Sequence, residues 1–303
     1  MNIIGRKYFY FAISLLIIIP GIVSLLFWRL HLSIDFIGGS RIEYQFKSDK
    51  NQNMDSKIFD AFRKENIEIS AIQKSGEGIY IIRSKEVSPQ KNKAIDQSLQ
   101  TYSPGSKEIS FQTVGPTIGK ETTLNAVKAV VIASVLIILY IAWSFRKVPK
   151  PANSFRFGIC AIVALIHDVL VVVGVFSLLG HFWSVEVDSL FVTAILTIIG
   201  FSVHDTIVVF DRIRENLRRM PGASFATVVN DSILQTLGRS LNTSLTVLLV
   251  LFTLLLFGGE SIRWFVVALL VGIVSGTYSS IFNAAPLLVV WEEFTLRHSG
   301  KRA

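Results

Sequence analysis

The chain has 303 residues, of which 51% are hydrophobic and 17% charged, and it carries a formal net charge of +8. Its mean hydropathy of +0.52 excludes an ordinary soluble domain, because the apolar residues fall in charge-free blocks of about 20, long enough to cross a hydrocarbon core of roughly 30 Å. The positive charge is spread over one set of loop ends rather than gathered on one soluble surface, so no nucleic-acid partner is expected. The single cysteine, Cys160, excludes a disulfide within one chain.

Six apolar blocks predict six transmembrane helices. The first block follows Arg6 and Lys7 and has no small-residue cleavage site after it, so we interpret it as an uncleaved signal anchor rather than a signal peptide. The last block is long and contains Gly272, Gly276 and Pro286, which predicts a tilt or kink. The blocks cover approximately 8–30, 124–145, 157–179, 187–210, 241–258 and 263–290.

Basic residues at the loop ends predict the orientation of the chain. There are four basic clusters: one before the first block, one between the second and third, one after the fourth and one after the sixth. The two short loops on the opposite side carry no basic cluster. Since cytoplasmic loops are enriched in Lys and Arg, both termini are predicted to be cytoplasmic in a protein of the cell inner (plasma) membrane. The clusters are Arg6 and Lys7; Arg146, Lys147, Lys150 and Arg156; Arg212, Arg214, Arg218 and Arg219; and Arg297, Lys301 and Arg302.

The segment 31–123, between the first two spans, is predicted to be a folded periplasmic domain that separates residues 1–30 from the helical part at 124–303. Its pattern predicts strands at 41–46, 68–73, 78–83 and 108–114 and helices at 55–66 and 89–102. The first strand alternates Ile42, Tyr44 and Phe46 on one face, and Ser88 before Pro89 is a helix start signal. A hairpin turn is expected at 75–78. The βαββαβ order predicts a ferredoxin-like α+β domain.

Asp205 is an ionisable residue inside the fourth block. It lies six residues before Asp211, which is roughly 9 Å along a helix axis, so it is expected within the hydrocarbon. A charged residue there costs roughly 2.5–3.5 kcal/mol on insertion scales. Two interpretations remain open: Asp205 carries a proton, or it is a hydrogen-bond partner between helices. His204 is adjacent and can relay a proton, although it points about 100° away around the helix.

Two further residues are candidates for the same chemistry. Asp168, after His167 in the third block, is expected near the middle of the bilayer as part of a proton path or as a structural partner of another helix. Arg239 enters the fifth span at a depth similar to that of Asp205. It either pairs with a carboxylate or anchors the helix with its charge at the membrane surface.

Enzyme, metal and cofactor sites are not predicted. The five His residues are scattered and there is one Cys, so no set of metal ligands stands at a readable spacing. Ser40 has no base at a spacing that suggests a nucleophile, and no glycine-rich phosphate loop occurs in the required context.

Six motifs, in order along nearly the whole chain, resemble those of the SecD/SecF family of bacterial protein-export membrane proteins, on its SecF side. Each motif alone is weak, but their order makes the resemblance specific. They lie at 35–39, 114–119, 164–169, 200–216, 239–244 and 257–260.

The resemblance implies a fold akin to the membrane half of resistance-nodulation-division transporters and a SecD partner that supplies six further spans. It implies use of the proton motive force to assist preprotein translocation, with the Sec channel, unfolded preprotein and membrane lipid as further contacts. The family's proton-path aspartate falls on Asp205 and its functional arginine on Arg239. The family commonly has Asn before that aspartate, whereas this chain has His204.

Two other functions are alternatives to this one. A proton-coupled efflux transporter for small molecules is usually much longer, with two repeats and large porter domains. A non-conducting scaffold of the translocon has no need of a buried carboxylate such as Asp205.

Overall fold

The structure is a computed structural model that describes residues 2–46, 54–74, 78–146 and 153–298. The chain forms two compact units, Leu32–Val127 and a helical unit that combines Met1–His31 with Lys128–Ala303. Parts of two predictions lie outside the described residues, namely the hairpin turn at 75–77 and four of the basic loop residues, Lys147, Lys150, Lys301 and Arg302.

One long helix comes first, a small α+β region follows it, and the remaining long helices complete the chain. A 3-10 turn (Ile4–Arg6) precedes the first helix. The elements are α1 (Lys7–Trp28), α2 (Ile34–Ile37), β1 (Gly39–Gln45), α3 (Met54–Lys64), β2 (Ile69–Lys74), β3 (Ile79–Ser84), α4 (Pro89–Tyr102), β4 (Lys107–Val114), α5 (Pro116–Ser144), α6 (Ser154–Trp183), α7 (Ser189–Arg219), α8 (Phe225–Phe257), α9 (Arg263–Ser279), a π-helical segment (Ser280–Ala284) and α10 (Ala285–His298).

The unit Leu32–Val127 is a four-stranded sheet in the order β2-β3-β1-β4, with every neighbouring pair antiparallel. The alternation predicted for β1 is present, since Ile42, Tyr44 and Phe46 are all buried. They pack against residues of α3 and α4 such as Phe62 and Leu99, so the two helices share one core with the sheet. The predicted βαββαβ ferredoxin-like domain is confirmed.

Two consecutive glycines after α2 are required by the backbone. Gly38 has φ +76° and Gly39 has φ +116°, a region that side chains with a Cβ avoid. A Cβ on Gly38 would lie 2.9 Å from Pro116 Cα, and one on Gly39 would lie 2.6 Å from the Ser84 carbonyl oxygen. The glycines therefore let the chain enter β1 while it lies close to the start of α5.

Six helices in the described ranges are long and apolar enough to cross a membrane, as predicted. Several of them extend beyond the apolar blocks, α7 and α8 the furthest, because α7 continues to Arg219 and α8 begins at Phe225 rather than at 241. These extra turns alternate buried apolar residues such as Val229 and Ile233 with polar ones, so hydropathy falls while the helix continues. The six segments are Ile4–Trp28, Pro116–Ser144, Ser154–Trp183, Ser189–Arg219, Phe225–Phe257 and Glu260–His298.

The last span contains the irregularity that its composition predicts, at the π-helical segment Ser280–Ala284. This segment ends two residues before Pro286, which has no N–H to donate within a regular helix. The glycines serve a different purpose. A Cβ on Gly272 would lie 2.2 Å from Ile198 Cδ1, so the glycine lets α9 approach α7 closely. The helix itself remains α-helical through Gly272 and Gly276.

Helix α1 packs on α6 through small residues. Gly21 and Gly174 approach so closely that a Cβ on Gly174 would lie 2.7 Å from Gly21 Cα. One turn further on, the Ser24 and Ser177 hydroxyls lie 2.6 Å apart. Small residues at helix interfaces in membranes allow backbones to meet and gain van der Waals contact.

Helix α5 is exceptional because only 6% of its apolar window is buried in the structure. Its end is held by Phe145, whose ring centroid lies 5.4 Å from that of Phe157 and 5.8 Å from that of Phe210. Most of the surface of α5 within its span is therefore apolar and free of contact with the other helices of its unit.

Ion pairs and a cap join the helices at the end of the unit where the basic residues lie. Lys7 Nζ lies 2.5 Å from Glu293 Oε1, and Arg156 pairs with Glu292. The backbone N–H of Ile3 donates to Asn230 Oδ1 over 2.9 Å. These contacts connect the start of the chain and α6 with α8 and α10 at one end, which we call the basic end.

The contact of Gly21 with Gly174 predicts that Gly174→Leu separates α1 from α6 and destabilises the protein by about 1–3 kcal/mol, as overpacking does. The measurement is the unfolding midpoint of the protein in detergent. Gly158→Leu is the matched control, since a Cβ at Gly158 of the same helix meets nothing within 4 Å. Equal midpoints for the two variants would contradict the prediction.

Candidate functional site

Asp168, in the middle of α6, is 0% exposed and receives hydrogen bonds on both carboxylate oxygens. Ser275 Oγ of α9 donates to Oδ1 over 2.7 Å. Ser202 Oγ of α7 and Ser279 Oγ of α9 donate to Oδ2 over 2.5 and 2.7 Å. The neighbouring His167 Nδ1 lies 3.0 Å from Oδ1. A carboxylate offers about four acceptor sites, so each of its sites has a partner.

We call Asp168 and its four partners the Asp168 hub. The hub joins α6, α7 and α9 by hydrogen bonds that have no water to replace them inside a membrane. Because three hydroxyl groups from two other helices donate to Asp168, the carboxylate is held as an acceptor. Of the two interpretations open for Asp168, this geometry favours the structural partner.

A second polar contact lies one turn from the hub. Thr206 Oγ1 of α7 and Ser280 Oγ of the π-helical segment lie 2.8 Å apart. Ser280 also donates to the carbonyl oxygens of Gly276 and Ser202. Because Thr206 directly follows Asp205, this contact fixes the backbone of α7 beside Asp205 against the irregular turn of the last span.

Asp205 is as deeply buried as Asp168 but is much less well bonded. It is 2% exposed, and Oδ2 has no hydrogen-bond partner among the described residues. The Thr277 side chain of α9 lies beside the carboxyl group, and Thr277 Oγ1 lies 2.5 Å from Ser244 Oγ of α8. His204 Nδ1 is 4.0 Å from Oδ1. The site therefore leaves one carboxyl oxygen free to exchange partners.

Helix α9 contacts both carboxyl groups. Ser275 and Ser279 face Asp168, while Thr277, two residues from each, faces Asp205. Two residues along an α-helix correspond to about 200° of rotation, so α9 lies between the two sites. A displacement of α9 would therefore alter the surroundings of both carboxyl groups at once.

The structure places the other two predicted residues on the outer surface of the helical unit. The side chain of His204 is 67% exposed, and Arg239 is exposed. Arg239 makes no ion pair with Asp205 within 4.0 Å in the described structure. It lines a cavity of about 310 Å³ near the basic end, together with Asp211, Glu215 and Thr236.

The charged residues around this cavity are largely paired with one another. Arg212 Nη1 lies 2.5 Å from Glu215 Oε2, and Arg214 pairs with Asp211. A water molecule occupies roughly 30 Å³ of liquid, so the cavity is large enough for several. It lies between Asp205 and the basic end, along α7 and α8.

The hydroxyl partners of both carboxyl groups were missed in the sequence. Ser275 and Ser279, four residues apart in an apolar helix, form one face of α9 and are the pattern that could have indicated a partner for Asp168. Ser244 and Thr277 lie on different helices, and their contact depends on packing that one sequence does not give.

No group of three or more His, Cys, Asp or Glu side chains that could hold a metal ion occurs in the described part of the chain. Cys160 is buried and unpaired.

Six apolar helices with two carboxyl groups buried between them, and an α+β domain inserted after the first helix, define a multi-pass membrane protein with ionisable groups inside its spans. The family model described as "Protein export membrane protein SecD/SecF, C-terminal" matches residues 94–294. The model of the "SecD/SecF GG Motif" matches residues 23–50, which include Gly38 and Gly39. The chain belongs to the SecD/SecF family, as its motifs predict.

Relatives and a solved structure agree with this assignment. The chain is 50% identical over 302 residues to protein translocase subunit SecF of Thermobaculum terrenum, covering 96% of this chain and 94% of that protein. It is 44% identical to the SecF subunit of Anaerolinea thermophila, covering 100% of this chain and 97% of that one. The crystal structure of SecDF from Thermus thermophilus, a translocon-associated membrane protein, superposes with a TM-score of 0.82 at 33% identity. It matches 97% of this chain, which spans only 39% of that SecDF chain.

The different bonding of the two carboxyl groups predicts opposite effects of the same substitution. Asp168→Asn leaves one acceptor oxygen facing donors that need two, so at least one hydroxyl loses its partner at a cost of about 1–3 kcal/mol. Asp205→Asn replaces a group whose Oδ2 has no partner, and a buried amide costs less than a buried charge. We therefore expect a lower unfolding midpoint for Asp168→Asn and an unchanged or higher one for Asp205→Asn. Similar losses in both variants would contradict the difference drawn between the two sites.

Proposed function

We propose that this chain is an accessory subunit of the Sec protein translocase that, together with SecD, uses the proton motive force to assist preprotein translocation across the inner membrane. The observation that carries the proton-coupled part of the proposal is Asp205, a carboxyl group in an apolar helix, 2% exposed and with one oxygen lacking a partner. An intramembrane ionisable group is costly, so its presence supports a use. In this proposal the chain moves protons and transmits force, and it breaks no covalent bond.

The proposed cycle begins when Asp205 takes up a proton from the periplasmic side. The neutral carboxyl group then interacts more weakly with its charged neighbours. As a result its pairing changes, either with Arg239 or with a carboxyl group of SecD. Because α9 contacts both carboxyl groups, a change at Asp205 shifts the packing of α7 and α9. This is the conversion of a local charge change into a choice between two packed states. The periplasmic domain then holds or pulls the emerging polypeptide.

The Asp168 hub has a separate role in this proposal. Its three hydrogen bonds between helices keep α6, α7 and α9 together through the cycle, so that protonation of Asp205 moves helices against a fixed reference. Asp168 thus supports the proton path without carrying the proton.

The position of the basic end supports an inner-membrane orientation with both termini in the cytoplasm. Lys7, Arg156 and the start of α8 gather there through the contacts described above, and basic loop residues mark the cytoplasmic side of bacterial membrane proteins. Release of the proton at this end follows the direction of the proton motive force.

Exposed polar residues on α7 and α8 support a SecD-binding surface. Thr193, Thr197 and His204 follow one face of α7 at spacings of four and seven. Asn242 and Thr246 are exposed on α8. Polar side chains in contact with hydrocarbon are unfavourable, whereas between helices they can hydrogen-bond across the interface. The chain spans 39% of the similar SecDF structure, so we propose that SecD helices cover this face and that lipid covers the rest.

The role of Asp205 is tested by preprotein import into inverted vesicles that contain the chain and its SecD, with ATP at saturation and the proton gradient either present or collapsed by an uncoupler. We expect Asp205→Asn to lose the gradient-dependent part of import, because an amide cannot carry the proton, while it still copurifies with SecD. Asp205→Glu is the matched control, since it keeps a carboxyl group. Full gradient-dependent import by Asp205→Asn would refute proton coupling at this residue and leave a scaffold function.

The proposed SecD surface is tested by placing a photo-crosslinking amino acid at single positions. We expect Thr197 and Asn242 positions to crosslink to SecD, because both lie on the polar faces of α7 and α8. Val163 on the exposed apolar face of α6 is 45% exposed and is expected to label lipid instead. Crosslinks to SecD from Val163 but not from the other two positions would contradict the proposed surface and indicate that SecD binds the α6 face instead.

A further inference from the structure

Helix α8 carries four buried hydroxyl residues in a single line. Ser232, Thr236, Ser240 and Ser244 are spaced four residues apart and are all buried. Residues four apart lie one above another on the same face of a helix, about 6 Å apart along its axis. We call this set the α8 hydroxyl column. It follows the buried side of a helix whose opposite side is exposed.

The column runs between the surroundings of Asp205 and the charged cavity. At one end, Ser244 Oγ is 2.5 Å from Thr277 Oγ1, and the Thr277 side chain lies beside the Asp205 carboxyl group. Towards the other end, Thr236 lines the 310 Å³ cavity with Asp211, Arg212, Glu215, Gln235 and Arg239. The column therefore connects the neighbourhood of the buried carboxyl group with a charged cavity near the basic end.

Ser240, in the middle of the column, differs from its neighbours in the bonding of its hydroxyl group. The side chains of Thr236 and Ser244 both donate to the carbonyl oxygen one turn earlier in their own helix. Ser240 is 1% exposed, yet its Oγ has no hydrogen-bond partner among the residues that the structure describes. A buried hydroxyl without a partner costs free energy, and Asp205 Oδ2 is in the same condition.

We propose that the α8 hydroxyl column is the route by which a proton leaves Asp205 for the cavity at the basic end, with Ser240 as the required intermediate position. This inference rests on the proposed function of Asp205. The proton passes from the Asp205 carboxyl group to the oxygen of Thr277 or Ser244, and that hydroxyl gives up its own proton to the next acceptor. Ser240 repeats the exchange, and a water molecule in the cavity accepts the proton beside Thr236. Asp205 is left as a carboxylate, and each hydroxyl is regenerated with its hydrogen reoriented.

Water is the co-reactant that this route requires. Two hydrogen bonds of about 2.8 Å through one water molecule cover roughly the 6 Å between successive hydroxyls of the column. Ser240 divides the distance between Ser244 and Thr236, about 12 Å along the helix axis, into two such steps. Without a hydroxyl at this position, the proton would have to cross the longer distance past apolar side chains.

The route differs from one through His204. The imidazole of His204 lies on the exposed side of α7, with Nδ1 4.0 Å from Asp205 Oδ1. The column lies on the buried side of α8. The two routes can therefore be separated by substitutions on α8 that do not touch α7.

The experiment uses inverted vesicles that contain the chain with its SecD, in which the cytoplasmic side of the protein faces the medium. It measures proton release into the medium, by a pH-sensitive dye outside the vesicles, together with gradient-dependent preprotein import. Ser240→Ala is expected to slow proton release at least about tenfold, a modest share of what positioned proton-transfer groups contribute, and to increase the ratio of rates in H₂O and D₂O. Ser240→Thr keeps the hydroxyl and is expected to restore most of the rate. Thr253→Val on the exposed side of the same helix is the matched control, since the Thr253 hydroxyl donates to the Leu249 carbonyl oxygen.

The outcomes separate the route from the function on which it rests. Ser240→Ala removes an oxygen without a partner, so its unfolding midpoint is expected to stay the same or rise, and loss of rate with an intact fold supports the route. If Asp205→Asn abolishes gradient-dependent import while Ser240→Ala keeps the normal rate, the column is not the route and the proposed function stands. If Ser240→Thr is as slow as Ser240→Ala, packing rather than the hydroxyl limits the rate, and the route is refuted. If Asp205→Asn retains full gradient-dependent import, the proposed function and the route fail together.

Discussion

The structure depends on one constraint, which is that a polar group inside a bilayer must find its hydrogen-bond partners within the protein. The Asp168 hub meets this constraint fully. Its carboxylate, placed on α6, takes hydroxyl hydrogens from Ser202 of α7 and from Ser275 and Ser279 of α9. Apolar contacts between helices do not distinguish one register from the next in lipid, but these hydrogen bonds do. The register of the three central helices is therefore fixed by a few short polar contacts.

Asp205 departs from the same constraint, and the departure is informative. Two carboxyl groups of the same chemical type are buried in the same bundle and contact the same helix, α9. One has a partner for each acceptor site, and the other has an oxygen with no partner in the part of the chain that the structure describes. A fully bonded group resists change because any new state loses bonds, whereas an incompletely bonded group can exchange partners at little cost. The contrast assigns stability to Asp168 and adaptability to Asp205 without any difference in residue type.

Much of the fold was predictable because it follows from periodicity and length. Apolar blocks of about 20 residues gave the six spans, and the alternation of Ile42, Tyr44 and Phe46 indicated the first strand of the α+β domain. The start of α8 was placed too late, because its first four turns are amphipathic and their hydropathy resembles that of a loop. The last span was expected to tilt or kink because it contains two glycines and Pro286. Its irregular turn lies at Ser280–Ala284, close to the proline, whereas Gly272 serves close packing.

The candidate site was predictable only in part. An acidic residue inside a span is visible in one sequence, so Asp168 and Asp205 could be named from cost alone. The difference between the two residues could not be predicted from the sequence, because it depends on which hydroxyls of α8 and α9 face each carboxyl group. Serine and threonine are common in membrane helices and carry no charge, so they give little signal until the helices are packed. The position of Arg239 shows the same limit, because its depth in the sequence suggested Asp205 as a partner and the packed helix directs it to the cavity.

The contacts of α1 have a consequence for the biogenesis of the protein. The hydroxyl of Ser24 meets that of Ser177, which is 153 residues later in the chain, and Ser14 meets Asn283, which is 269 residues later. At a synthesis rate of roughly 5–20 residues per second, α1 spends many seconds in the bilayer before any of its partners has been made. During that interval its interface faces lipid. Glycine and serine are well suited to this delay, because a small side chain or a hydroxyl bonded to its own helix is tolerated in hydrocarbon far better than a charge. The first helix can thus remain in the membrane as an independent span and pack against its partner helices once they have been synthesised.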